Sequence, residues 1–327
     1  MQQMIQTGPQ VPAAGQQITT ALYDRFVAYI DASDKTVETY GRALRQFFYW
    51  IRREQITQPQ RDDVIRYREE LKQKHKPATV QSYIFAVRQF FRWTAQEGLY
   101  PDIADRVKGA KLSTAHKKDP LTVRQAQEIL ETQRRKDTLA GARDYAILAA
   151  AITGGLRTIE IQRANVEDLR PLGDKTVLYI QGKGREERAE YVLITEPVEK
   201  AIRAYLRKRG RTGGKAPLFS SVSRQNYGER MTTRSISRIV KNAFIEAGYD
   251  SDRLTAHSLR HTAGTLNLLN GGTLQETQQL LRHSNINTTT IYAHNLDKLS
   301  SKSEERISDA IFAADDAGQD PGRKGQT

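Results

Sequence analysis

The chain contains no cysteine, which excludes disulfides, thiolate metal sites and cysteine nucleophiles together and is compatible with a reducing compartment. No stretch approaches the roughly 20 consecutive apolar residues that a membrane span requires. The N-terminus lacks the basic-then-apolar layout of a secretion signal, so a cytoplasmic protein without membrane contact is expected. No GxxxxGK[ST] loop occurs, so no ATP site is expected. Carboxylates are scarce where histidines gather: Glu276 is the only one between positions 254 and 295, too few for a two-metal site.

Positive charge is abundant. The 327 residues carry 51 Lys and Arg against 38 Asp and Glu, a formal charge of +13. Surface cations gain affinity by displacing counterions from phosphates, so a polyanion is the default partner. Residues 1–118 hold 19 basic and 12 acidic side chains, a balance of +7, which leaves +6 for 119–327. Charge in both halves suits two lobes gripping one duplex better than a basic tail on a neutral body. The length also exceeds what one hydrophobic core usually organises, which predicts two domains.

Residues 1–16 are small, polar and aperiodic and read as a flexible tail. The first helix is expected from about Ile18, and with only some seventeen residues before it no obvious extra arm-binding domain is expected there. An internal repeat follows: TVETYGRALRQFFYW at 36–50 aligns with TVQSYIFAVRQFFRW at 79–93, with nine of fifteen positions identical. Apolar residues three and four apart (Val37, Tyr40, Leu44, Phe47, then Val80, Tyr83, Val87, Phe90) predict one amphipathic helix per copy. Two copies are too few for a solenoid. With further helices near 18–31 and 60–74, a four-helix domain over 17–103 is the simpler expectation. Arg45 and Arg88 repeat off the apolar stripe and are candidate phosphate contacts or plain solvated arginines.

Residues 104–118, rich in lysine and without a stripe, read as a linker, and 119–300 as a second domain followed by a C-terminal segment over 301–327. Helical patterns occupy 122–135 and 141–153. TVLYI (176–180) and AEYVLI (189–194) flank QGKGREER and predict a β-hairpin with Lys183 near its tip. The fold class expected is mainly α with a small antiparallel sheet.

Taken singly, the reactive candidates are weak: Arg157 reads equally as an ordinary surface arginine, and Lys183 as a solvated charge in a turn. His257, Arg260 and His261 share one side of a helix. Two histidines four apart invite a zinc reading, but Ser258 stands where a zinc-protease helix needs Glu, so neither metal nor cofactor is expected. His283 precedes Tyr292 by nine residues.

The ordered set TGGLRTIEI, QGKGREERAEYVLI, HSLRH and LLRHSNINTTTIYAH resembles the signature of the tyrosine recombinases, the lambda-integrase-type family, across about residues 18–300. The resemblance implies an N-terminal core-binding, SAM-like domain and a catalytic domain that acts on double-stranded DNA as a homotetramer on synapsed sites, with DNA-bending proteins as possible accessories. It assigns catalytic roles to Arg157, Lys183, His257, Arg260, His283 and Tyr292. Tyr292 would be the nucleophile, Lys183 the general acid and His257 the proton-transfer group, while the cations Arg157, Arg260 and His283 would replace a metal. Glu160 would orient Arg157. A type IB topoisomerase-like enzyme and a non-catalytic DNA-binding module are the alternatives. Two positions depart from the pattern: Gly155 is a second glycine, and Arg282 replaces a small residue, with local packing or a DNA contact as its open readings. An apolar face of Ile307, Ile311 and Phe312 would dock on a neighbouring protomer or on the chain's own domain.

Overall fold

The computed structural model describes residues 20–112, 118–181, 190–283, 285–286, 289–290 and 303–312. The chain forms two compact units, residues 1–115 and 116–327. The first is helical, with α1 (Thr20–Tyr29), α2 (Asp34–Arg53), α3 (Arg61–Lys74) and α4 (Pro77–Gln96). The repeated sequence is a packing signature: Ala43/Ala86, Leu44/Val87, Phe47/Phe90 and Trp50/Trp93 are buried at equivalent places on α2 and α4. The copies meet through crossed aromatic pairs, Phe47 on Phe91 at 5.8 Å and Phe48 on Phe90 at 5.3 Å, both edge-to-face. The chain beyond α4 stays with this core, where Ile103, Ala104 and Val107 are buried. Arg45 lies exposed beside the Tyr23 hydroxyl, and Arg88 is half-buried.

The second unit is built around α6 (Leu139–Gly154), in which Ala146 to Ile152 are all buried. A helix apolar on every side belongs at the centre, and α6 packs against α5 (Val123–Arg134), α8 (Glu196–Arg209) and α10 (Ala256–Leu269). Also present are α7 (Thr158–Arg163), a 3-10 turn at Val166–Asp168, α9 (Thr233–Glu246), α11 (Leu274–Leu281) and α12 (Ser303–Phe312).

The sheet is antiparallel, in the order β1 (Leu169–Leu172), β2 (Lys175–Ile180), β3 (Glu190–Ile194). The β2–β3 pairing, with Tyr179 opposite Tyr191, matches the hairpin expected from the two β-rich runs, whose tip lies outside the described residues. β1 was not expected. Its LRPL sequence carries a proline, which a sheet admits at an edge, and β1 is an edge strand closed onto β2 by the two-residue turn Gly173-Asp174. Among the described residues no helix is long and apolar enough to cross a membrane.

Candidate active site

α6 ends where Gly155 takes the left-handed conformation, φ +56° and ψ 33°. The reversal sends Leu156 into the core and sets Arg157 at the N-cap of α7. A Cβ at position 155 would lie 2.8 Å from Leu281 Cδ2, so both the backbone angle and the space demand glycine there. Glu160, fully buried, folds back on the start of α7. It accepts from the Arg157 amide at 2.8 Å and from Arg157 Nη1 at 2.7 Å.

Thr255 caps α10 with a reciprocal Ser258 contact, which places His257 and Arg260 in the helix's opening turns. Arg260 is buried and anchored on carbonyls: Nη1 donates to Gly155 O at 2.6 Å and Nη2 to Leu281 O. The 2.6 Å bond joins the first arginine box to the helix that carries the second arginine. His261, also buried, meets His257 edge-on with ring centroids 4.6 Å apart. Among the described residues no three His, Asp or Glu side chains gather as a metal site.

The third segment is the turn after α11. Arg282 adopts φ +52° and ψ 47°, rare for a side chain with a Cβ, and leads directly to His283. Its buried guanidinium donates to the carbonyls of Leu280 (2.6 Å), Gly155 (3.0 Å) and Gly154 (3.2 Å), and to Glu160 Oε2 at 2.9 Å. In return Arg157 Nη2 donates to Arg282 O at 3.3 Å. Of the two readings left open for Arg282, packing is what the structure shows. His283 pairs through Nδ1 with Thr289 Oγ1 at 2.9 Å.

The first two of these segments border a cavity of about 560 Å³ lined by Arg157, His257 and Arg260, with Ser237, Lys241, Asp252 and Thr255 on its wall. Sequence reasoning missed Ser237 and Lys241, which lie in no motif, and gave no role to Thr289, which lies within LLRHSNINTTTIYAH. Burial, then Arg260, Arg157, Arg282 and His257, push His283 down to about 4. That corrects its grouping with the cations: near neutral pH it is an uncharged imidazole. For Glu160 burial opposes ionisation, but Arg282 and Arg157 outweigh it and hold the carboxyl below its usual range. Lys183 and Tyr292 lie outside the described residues.

Residues 119–298, more than half of the chain, match the phage integrase family, and residues 23–98 match the SAM-like N-terminal domain of phage integrases. The chain belongs to the phage integrase family. Among the chain's relatives, the tyrosine recombinase XerC of Pelobacter propionicus is 34% identical over 180 residues, covering 55% of this chain and 56% of the relative. A tyrosine recombinase of Synechococcus elongatus is 32% identical over 187 residues, 57% of each chain. The aligned stretch therefore spans little more than half the length of these relatives. The integrase fold is shared with XerH recombinase bound to palindromic difH (TM-score 0.68, 18% identity, 90% of this chain and 84% of that one). It is shared also with a lambda integrase dimer on a COC′ core site (TM-score 0.64, 16% identity, 82% and 95%).

Proposed function

We propose that this protein is a site-specific DNA recombinase that cuts and rejoins strands through a 3′-phosphotyrosine, with neither metal nor ATP. The convergence of Arg157, His257 and Arg260 on one cavity, with His283 close enough to feel all three, carries this reading. A phosphodiester under attack gains negative charge on its non-bridging oxygens. Arg157 and Arg260 face that charge with forked donors, and neutral His283 adds one hydrogen bond.

An unperturbed tyrosine has a pKa of about 10, so only roughly a thousandth is phenolate near neutrality. Tyr292 is assigned as the nucleophile and His257 as the group that takes its proton. Lys183 is assigned to protonate the departing 5′ oxygen. The phosphorus–oxygen bond broken at the 5′ side is replaced by one to tyrosine, so the bond energy is conserved for rejoining and no nucleotide is consumed.

The partner is double-stranded DNA, and the working form a homotetramer on synapsed sites. Lambda integrase has been seen as a tetramer on a Holliday junction. Ile307 and Ile311 on α12 are exposed and support docking on a neighbouring protomer, while the side chain of Phe312 lies outside the described set. The test incubates the full chain with genomic DNA of the encoding organism in excess EDTA and isolates detergent-stable protein–DNA adducts. The expected result is an adduct on Tyr292, unaffected by EDTA. Adducts that require magnesium, or that map to another residue, would overturn the mechanism.

A further inference from the structure

Arg282 occupies a backbone position that glycine would fill without strain, yet the fold holds it there through four hydrogen bonds. A strained residue kept in place by its surroundings calls for a reason. The geometry supplies one. Glu160 is fully buried and touches Arg157 through both carboxylate oxygens, one on the amide and one on the guanidinium. Such a carboxylate fixes Arg157 in place, but it also cancels that arginine's charge as seen from the cavity. Arg282 binds the same carboxylate on Oε2.

We propose that Arg282 is a positioning residue that offsets Glu160, so that Arg157 stays clamped and the pair still presents a net positive charge to the scissile phosphate. The inference rests on the recombinase reading above. Arg157 and Glu160 alone form a neutral pair, whose attraction for an anion falls off quickly with distance. With Arg282 the bonded trio is +1, Arg260 on the next wall adds a second positive charge, and Lys241 and Asp252, also on the cavity wall, offset each other. Glu190, at the start of β3, draws on Arg282 only at longer range and makes a smaller contribution than Glu160. Arg282 also keeps His283 uncharged, because its guanidinium is among the groups that disfavour a proton there.

The competing explanation is that Arg282 merely fastens the turn between α11 and His283. The two are separable by charge restoration. Replacing Arg282 with glycine, which accepts φ +52° readily, leaves the Arg157–Glu160 pair neutral. Adding Glu160→Gln to that variant returns the trio to +1 through Arg157 alone. The assay is the rate of detergent-stable adduct formation by the full chain on genomic DNA of the encoding organism. Affinity for a random-sequence duplex and the melting temperature are measured beside it.

Arg282→Gly is expected to slow adduct formation by roughly 10- to 100-fold, the range seen when a group that orients a metal's ligands is removed, with duplex affinity unchanged. The Arg282→Gly/Glu160→Gln variant is expected to recover most of that loss. Should Arg282→Gly fail to fold, the double variant, with the trio at +1, is compared with Glu160→Gln, with the trio at +2, and its rate should lie within about tenfold of that variant's. A double variant slower than Arg282→Gly, or tenfold slower than Glu160→Gln, would make Arg282 a fastener and overturn the proposal. So would a wild-type rate in Arg282→Gly. Absence of any adduct with the unaltered chain would instead count against the recombinase reading itself.

Discussion

Arg260 donates to the carbonyl of Gly155 at 2.6 Å, a bond that spans 105 residues of sequence and ties the start of α10 to the end of α6. The same carbonyl accepts from Arg282 at 3.0 Å, so one backbone oxygen sets the position of two arginines. Gly155→Ala is therefore expected to act twice. Its Cβ would press on Leu281 at 2.8 Å in a left-handed backbone, which should destabilise the chain by roughly 1–3 kcal/mol. It should also lower the rate of adduct formation more than Gly173→Ala does. Gly173 has a similar φ of +61° but open space around it, so it controls for backbone strain alone. Urea denaturation and adduct kinetics on both variants check this, and equal effects on the two would mean that the Arg260 anchor is dispensable.

His283 should make stability and DNA binding depend on pH in a defined window. Its folded value, about 4, lies below the ordinary histidine value of 6.5, so between those limits the unfolded chain binds a proton that the folded chain refuses. The contribution is fully present above pH 6.5 and is lost as pH falls towards 4. His283→Gln should flatten that part of the stability curve. A phosphate in the cavity would favour the charged imidazole, so binding duplex DNA at pH 5.5 should take up protons, measurable as a dependence of binding enthalpy on buffer ionisation. A variant with unchanged proton uptake would place the linkage elsewhere.

The sequence was most legible where periodicity and packing agree. Trp50/Trp93 and Phe47/Phe90 are both a repeated motif and the buried contact between α2 and α4, so reading the repeat amounts to reading the core. β1 escaped notice because Pro171 breaks the strand pattern and only its place at the sheet edge makes the proline harmless. At the site, Arg157, His257, Arg260 and His283 all stand in motifs, and the first three line one cavity. The charge on His283 was misjudged because it depends on which cations surround it in space. Arg282 was visible only as a departure from the family pattern. Its meaning needs Glu160, 122 residues away, within 2.9 Å.

Charge in both halves predicts a shared grip on DNA. The segments 1–115 and 116–327 each contain a separate core, and each is expected to bind duplex DNA weakly with its own salt dependence. The intact chain should bind far more tightly, with a log–log salt slope close to the sum of the two. Titrations of all three by fluorescence anisotropy at several salt concentrations check this. If one segment reproduced the full affinity and slope, the other would contribute nothing to the grip.

The assignment of nucleophile and acid can be separated by a change of leaving atom. Tyr292→Phe keeps the ring but removes the oxygen that would bond to phosphorus, so binding should persist and no adduct should form. Lys183→Ala should slow cleavage of normal DNA by roughly 10²–10⁴-fold, the contribution typical of a positioned acid. On a substrate whose bridging 5′ oxygen is sulfur, that defect should largely vanish, because a thiolate leaves without a proton. Arg260→Ala should stay slow on the same substrate, since its role lies with the non-bridging oxygens, whose charge the sulfur does not relieve. Equal rescue of both variants, or no rescue of Lys183→Ala, would show that the proton reaches the leaving oxygen from another group.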